Sequence, residues 1–235
     1  MKKAVLIGVI TTLLFPAFII AQAPEGPVAE DLGVDSAQQK LVEISVTKFE
    51  DTAYWGSSMS PDEGFVTVRR FEGSPEDKEP IEGEVTSNIV EQDKFVLGAK
   101  VEFIKRGKNV LSIFPVKPLP IEGITKTLSI WVVGRNYNHV LKVIIADYFG
   151  RKRELTFGKM NFMGWKKLAI AVPPHIIQDE YHFSSGRGIK LLGFKIDFDM
   201  VESFGTYYVY FDDMRAVTDL FAEDFRDTDD MIDGW

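Results

Sequence analysis

Few side chains in this sequence are placed to do chemistry. There is no cysteine, so a thiol nucleophile, a Cys-rich zinc site and an iron–sulfur cluster are excluded. The three histidines, His139, His175 and His182, form no His-x-x-x-His pair of the kind that holds a catalytic zinc. No Gly-x-Ser-x-Gly elbow is present. The stretch from Gly158 to Gly164-Trp165-Lys166 has neither the spacing nor the following Ser or Thr of a phosphate-binding loop. Asp197 and Asp199 share one face of a candidate strand, and a carboxylate pair can cleave glycosides. Charges opposite a core face are ordinarily just solvated, so the chain is read as non-enzymatic. Two acidic pairs remain, Glu50-Asp51 and Asp212-Asp213, on the candidate first and last strands.

These residues need elements to position them, and the elements read as strands. Leu192, Phe194, Ile196 and Phe198 alternate with Gly193, Lys195, Asp197 and Asp199, which puts one face in a core and one in water. Leu168, Ile170 and Val172 repeat the pattern. The runs 127–133 and 140–147 are apolar on both faces and read as central strands covered on each side. Further candidate strands lie at 41–49, 64–71, 95–104, 109–115, 153–158 and 205–215, about ten in all, bounded by Gly, Pro, Asn and Asp. Pro115, Pro118 and Pro120 are read as a turn, because proline donates nothing to a ladder. Residues 74–83 read as an exposed acidic loop. The expected fold is an all-β, jelly-roll-like antiparallel sandwich over 41–218.

The ends differ from this body. Lys2 and Lys3 precede an apolar run from Ala4 to Ile20, with small residues at Ala21 and Ala23. That order is a secretory signal peptide, residues 1–23, cut after Ala21 or Ala23. No later stretch reaches the roughly 20 apolar residues of a membrane span, so no membrane association is expected after cleavage. Residues 24–40 read as a flexible leader. The chain holds 27 basic and 35 acidic residues, and loss of Lys2 and Lys3 takes the net charge from −8 to −10. That balance argues against nucleic acid, whose affinity comes from basic side chains on phosphates. From Asp219 to Trp235 there are seven acidic residues and one arginine, interleaved with Phe221, Phe225, Met231, Ile232 and Trp235. Such a tail builds no core of its own but can dock on a partner.

Three stretches carry a family resemblance. The first is Leu128-Ser129-Ile130-Trp131-Val132-Val133-Gly134-Arg135-Asn136-Tyr137-Asn138-His139. The second is Asp147-Tyr148-Phe149-Gly150-Arg151, followed by a strand and Asn161-Phe162-Met163-Gly164-Trp165-Lys166. The third is the next strand, ending in Val172-Pro173-Pro174. In this order they resemble the outer-layer (sheath) proteins of spirochaete periplasmic flagella, closely over 128–174. The resemblance implies a structural protein of the periplasmic flagellum. Its partners would be a flagellin core filament and other sheath proteins, and it would contribute to filament shape, stiffness and motility. It carries over no catalytic residue. Trp131, Gly134, Asp147, Asn161, Gly164 and Trp165 read as structural, with Gly164 supplying a positive-φ turn and Asn161 capping it. The two indoles read as core or rim residues. The sandwich also looks like carbohydrate-binding modules, in which acidic pairs on first and last strands often meet around calcium. The alternative function is accordingly a periplasmic carbohydrate-binding module, using Trp55, Tyr137 and Tyr181. On the same likeness Glu50, Asp51 and Asp212 are candidate ligands of a structural Ca2+, which takes about six to eight oxygens, with no other cofactor expected. Candidate contact residues are Asn136, Tyr137, Asn138 and His139 in the hairpin, the 74–83 loop, and Phe221, Phe225 and Trp235 in the tail.

Overall fold

The computed structural model describes residues 41–51, 54–87, 93–180 and 188–220. The signal peptide, the leader, Tyr181, His182, Phe221, Phe225 and Trp235 lie outside them. Twelve strands and one short helix appear, in the order β1 (Leu41–Thr47), β2 (Trp55–Met59), β3 (Gly64–Glu72), α1 (Glu82–Ser87), β4 (Phe95–Phe103), β5 (Val110–Pro115) and β6 (Leu119–Glu122), then β7 (Ile124–Arg135), β8 (Val140–Ala146), β9 (Lys152–Lys159), β10 (Met163–Ala171), β11 (Gly188–Asp197) and β12 (Thr206–Asp219). All pairings are antiparallel. The first sheet runs β10-β7-β12-β4-β3, with β1 also on β12. The second runs β2-β5-β11-β8-β9, with β6 also on β11. The two long strands β11 and β12 therefore each take two short neighbours along one edge. This is the expected all-β sandwich.

The core forms where the inner faces meet. Leu97, Ala99 and Val101 of β4, Leu128, Ile130 and Val132 of β7, and Val209 and Phe211 of β12 face Leu111, Ile113, Leu141, Val143, Ile145, Phe194 and Ile196. Phe194 and Phe211 stack across the gap at 5.7 Å, and Phe49 packs on Trp55 at 4.8 Å. Burying each such ring is worth roughly 1.5–3 kcal/mol, which suits a chain with no disulfide to staple it.

The differences from expectation have local causes. The two extra strands are β2, whose Gly-Ser-Ser composition hides it, and β6. Pro120 sits inside β6, opposite Lys190. A proline is tolerated there because β6 has only one neighbour and its other edge needs no donor. In β11 the register slips between Leu191 and Gly193. The bulge inverts the alternation, so Ile189 and Leu191 are in the core while Leu192 is not. Phe194, Ile196 and Phe198 do face inward. β7 is buried on both faces as expected, whereas β8 leaves Lys142 and Ile144 half-exposed.

Candidate contact face on the first sheet

Asp212 points away from the inter-sheet core, on the outer face of β12, opposite Trp131 of β7. It is fully buried there because the segment after β3 is strapped across it. Lys78 Nζ donates to Asp212 Oδ2 at 2.8 Å and to Asp93 Oδ1 at 2.7 Å. Arg215 Nε donates to Asp213 Oδ2 at 2.7 Å, Nη1 reaches Glu43 at 3.2 Å, and Nη2 donates to the Glu79 carbonyl. Pro75 and Ile81 are buried. The 74–83 segment is exposed at Ser74, Glu76, Asp77, Glu79, Pro80 and Gly83, as expected, and it is also clamped to the sheet through Lys78, Pro75 and Ile81. Burial pushes the Asp212 carboxyl up to about 7, against the pull of Lys78. Burial also works against the Lys78 charge, but its bonds to Asp212 and Asp93 outweigh that and hold it above the ordinary lysine range.

Glu50 and Asp212 already have protein partners. Glu50 Oε1 is committed to the backbone N–H groups of Lys94 and Phe95, at 2.7 and 3.0 Å. Asp51 is exposed. Among the described residues no group of three or more His, Asp or Glu side chains is disposed to hold a metal. Asp212 Oδ1 and Asp213 Oδ1 are buried without a hydrogen-bond partner, yet an ammonium and a guanidinium already supply the positive charge beside them. The Asp197 and Asp199 pair is likewise split. Asp197 joins a charge lattice with Lys142, at 2.6 Å, and Lys195, while Asp199 Oδ1 accepts from Val201 N.

The family-like motifs become tertiary contacts. Gly134 is bare because a Cβ there would sit 2.3 Å from the Phe162 carbonyl oxygen. Asn136, at φ 59, turns the chain and donates its N–H to that same oxygen at 2.8 Å. Gly164 has φ 80, as its turn role requires. Asn161 is exposed. Asp147 Oδ1 accepts from Arg151 N at 2.8 Å, and its carbonyl accepts from Gly150 N, closing the β8–β9 hairpin. Trp131 lies on the outer face of the first sheet rather than between the sheets, although it is only 9% exposed, and Trp165 is half-buried beside it.

The β7–β8 hairpin divides by depth. Asn136 and Asn138 are exposed, and Asn138 bonds the Glu202 carboxylate through its N–H and its amide. His139 is fully buried, so it is no surface contact. Its ring stacks on Tyr137 at 5.2 Å and meets Tyr207 and Phe198 edge-on. Its Nδ1 accepts from Asp199 N at 3.1 Å. Burial lowers its pKa to about 4. Trp55 is also buried, in the core, so it offers no platform to a sugar. Tyr137 is half-buried.

Where the clamp ends, the outer face of the first sheet is open. At the Thr206 end of β12, Arg135, Tyr137, Thr206, Tyr207, Tyr208 and Tyr210 line a depression of about 500 Å³. Arg135 lies 5.8 Å from the Tyr210 ring centre, and Phe71 meets Tyr210 edge-on at 5.5 Å. Met163 at 74% and Phe65 at 63% exposure sit on the flanking strands. The sequence signal that could have found this face is the alternation Thr206, Tyr208, Tyr210, with period 2. The outer face of the second sheet is the opposite case. There Lys142, Lys195, Glu154 and Asp197 pair with one another at 2.6–3.7 Å. No helix among the described residues is long and apolar enough to cross a membrane.

Comparison with known proteins places these features in context. The model of the flagellar filament outer layer protein FlaA family matches residues 22–227. A flagellar filament outer layer-like protein of Brachyspira hyodysenteriae is 35% identical over 203 residues, covering 86% of this chain and 91% of that protein. A flagellar filament outer layer protein of Spirochaeta aurantia is 31% identical over 105 residues, 41% of this chain and 31% of that protein. Among solved structures, TmCBM61 in complex with β-1,4-galactotriose aligns over 75% of this chain and 99% of its own, with TM-score 0.42 and 13% identity. The family 11 carbohydrate-binding module of a Clostridium thermocellum cellulosomal cellulase aligns over 75% and 94%, with TM-score 0.41 and 11% identity.

Proposed function

The chain belongs to the flagellar filament outer layer protein family, and from that premise we propose that it is a structural subunit of a flagellar filament sheath in the periplasm. The observation that carries this reading is the family match, which spans residues 22–227 and so takes in the whole sandwich. The site chemistry supports it. Buried or part-buried polar side chains such as Lys78, Arg215 and Gln178 tie distant segments together. The two outer faces also divide the labour that a sheath requires. One is closed by a self-compensating charge lattice, and one offers tyrosines, an arginine and flanking apolar side chains to a neighbour. The signal-peptide pattern from Lys2 to Ala23 would deliver the chain to the periplasm.

In this role the sandwich packs on a flagellin core and stiffens it by adding material at large radius. Co-sedimentation tests the contact. Mature chain mixed with purified spirochaete flagellin filaments should pellet with them and saturate at a fixed ratio. A chain that stays in the supernatant at every ratio contradicts the reading.

A further inference from the structure

We infer that residues 221–235 of one copy dock in the Arg135–Tyr208 depression of the next copy, joining subunits head to tail. The inference rests on the sheath reading and specifies one of its contacts.

The placement comes from β12. Its first residue, Thr206, lines the depression, and its last, Asp219, pairs with Leu41 at the other end of the sheet. Thirteen residue steps of about 3.3 Å separate the two ends by roughly 40 Å. The depression therefore lies at one end of β12, and the last described residue, Leu220, lies at the other.

The chemistry matches. Residues 221–235 hold six carboxylates against one arginine, with Phe221, Phe225, Met231, Ile232 and Trp235 spaced among them. The depression offers the Arg135 guanidinium and the rings of Tyr137, Tyr208 and Tyr210, while Tyr207 is turned into the core, and the nearby carboxylate of Glu102, opposite Thr206, is already paired with Lys100. Arg135 is exposed, and among the described residues no carboxylate pairs with it. An aromatic side chain can lie against Tyr208 and Tyr210 while a neighbouring carboxylate meets the guanidinium.

The placement of the aromatic residues within the segment favours the next copy over the same one. Fifteen extended residues span at most about 50 Å. To fill its own depression the 221–235 segment would have to reverse and run back along all of β12, which spends Phe221 and Phe225 on the return and brings only the far part of that segment into range. A second copy set end to end brings the early aromatics into range directly. Such a contact joins two different patches, so it repeats without closing, as subunits along a filament must.

Complementation tests this. One variant of the mature chain lacks 221–235 and keeps the depression. The other carries Arg135→Glu and Tyr208→Ala and keeps the tail. Each alone should sediment as a monomer while the unaltered chain associates with rising concentration. Their mixture should form a one-to-one pair that grows no further. A labelled 221–235 peptide should bind the tail-less chain, with roughly tenfold or greater loss on Arg135→Glu and further loss with added salt. This peptide titration also covers the case in which the doubly substituted chain fails to fold.

The inference is overturned if the tail-less chain associates like the unaltered one, or if the mixture stays monomeric and the peptide does not bind. It is also overturned if the unaltered chain is monomeric at all concentrations and excludes the peptide, because the tail then occupies its own depression. No flagellin is present in these mixtures. Their failure leaves the co-sedimentation result standing, and the reverse also holds.

Discussion

His139 and Asp212 are both buried, and burial drives them in opposite directions. The imidazole falls from 6.5 to about 4, while the carboxyl rises from 3.8 to about 7. The histidine's stabilising contribution is fully present above pH 6.5 and is lost as pH falls through 4. The aspartate's is fully present below 3.8 and is lost as pH rises through 7. Between pH 4 and 6.5 the two slopes oppose, each at most about 1.4 kcal/mol per pH unit. Unfolding stability of the unaltered chain should therefore be nearly flat across that window. Asp212→Asn should make it climb with pH, and His139→Gln should make it decline, both read by urea denaturation at stepped pH. Variants whose slopes run parallel to that of the unaltered chain would show that neither group titrates as its surroundings dictate. The same Asp212 makes a second prediction. Lys78 already neutralises it, so neither millimolar calcium nor EGTA should move the melting temperature; a shift of several degrees with either would mean that the acidic pairs do take an ion. From sequence the acidic pairs were visible, but their partners were not. Lys78 is 134 residues from Asp212, and no local pattern pairs residues that far apart.

Hairpins were the most legible elements. Asp147 to Arg151 and Arg135 to His139 announce reversals through Gly and Asn, and both reversals occur where those residues stand. What the sequence concealed was that Gly134 and Phe162 belong to one joint. Gly134→Ala must push against a backbone carbonyl and should cost about 1–3 kcal/mol. Gly150→Ala meets no neighbouring atom but must hold φ 78, at about 1–2 kcal/mol. Thermal melts should rank them in that order, with Gly134→Ala the lower; an unchanged melting temperature for Gly134→Ala would mean that the joint is not tight. The 74–83 segment is exposed as expected, but its attachment to the sheet was hidden for a physical reason. Its composition is that of a solvated loop, and Lys78, Pro75, Ile81 and the Glu79 carbonyl tie it down. The β11 bulge was misread because alternation alone carries no mark of an inserted residue.

At the scale of the molecule, β-branched and aromatic alternation was enough to indicate a sandwich, since only stacked sheets bury so many half-apolar strands. Alternation could not say which outer face would stay open. That follows from the clamp over Asp212 and from the charge lattice on the other sheet, both products of contacts between distant strands. The result is a two-faced sandwich whose open surface is aromatic and basic. The most direct test of the sheath account is composition of the native filament. Periplasmic flagella are released from the source cells by detergent and shear, then quantified by mass spectrometry and labelled with antibody to this chain. The account predicts the chain at a level comparable to flagellin, with label spaced along the filament surface. A chain abundant in the soluble periplasm and missing from the filaments would contradict it.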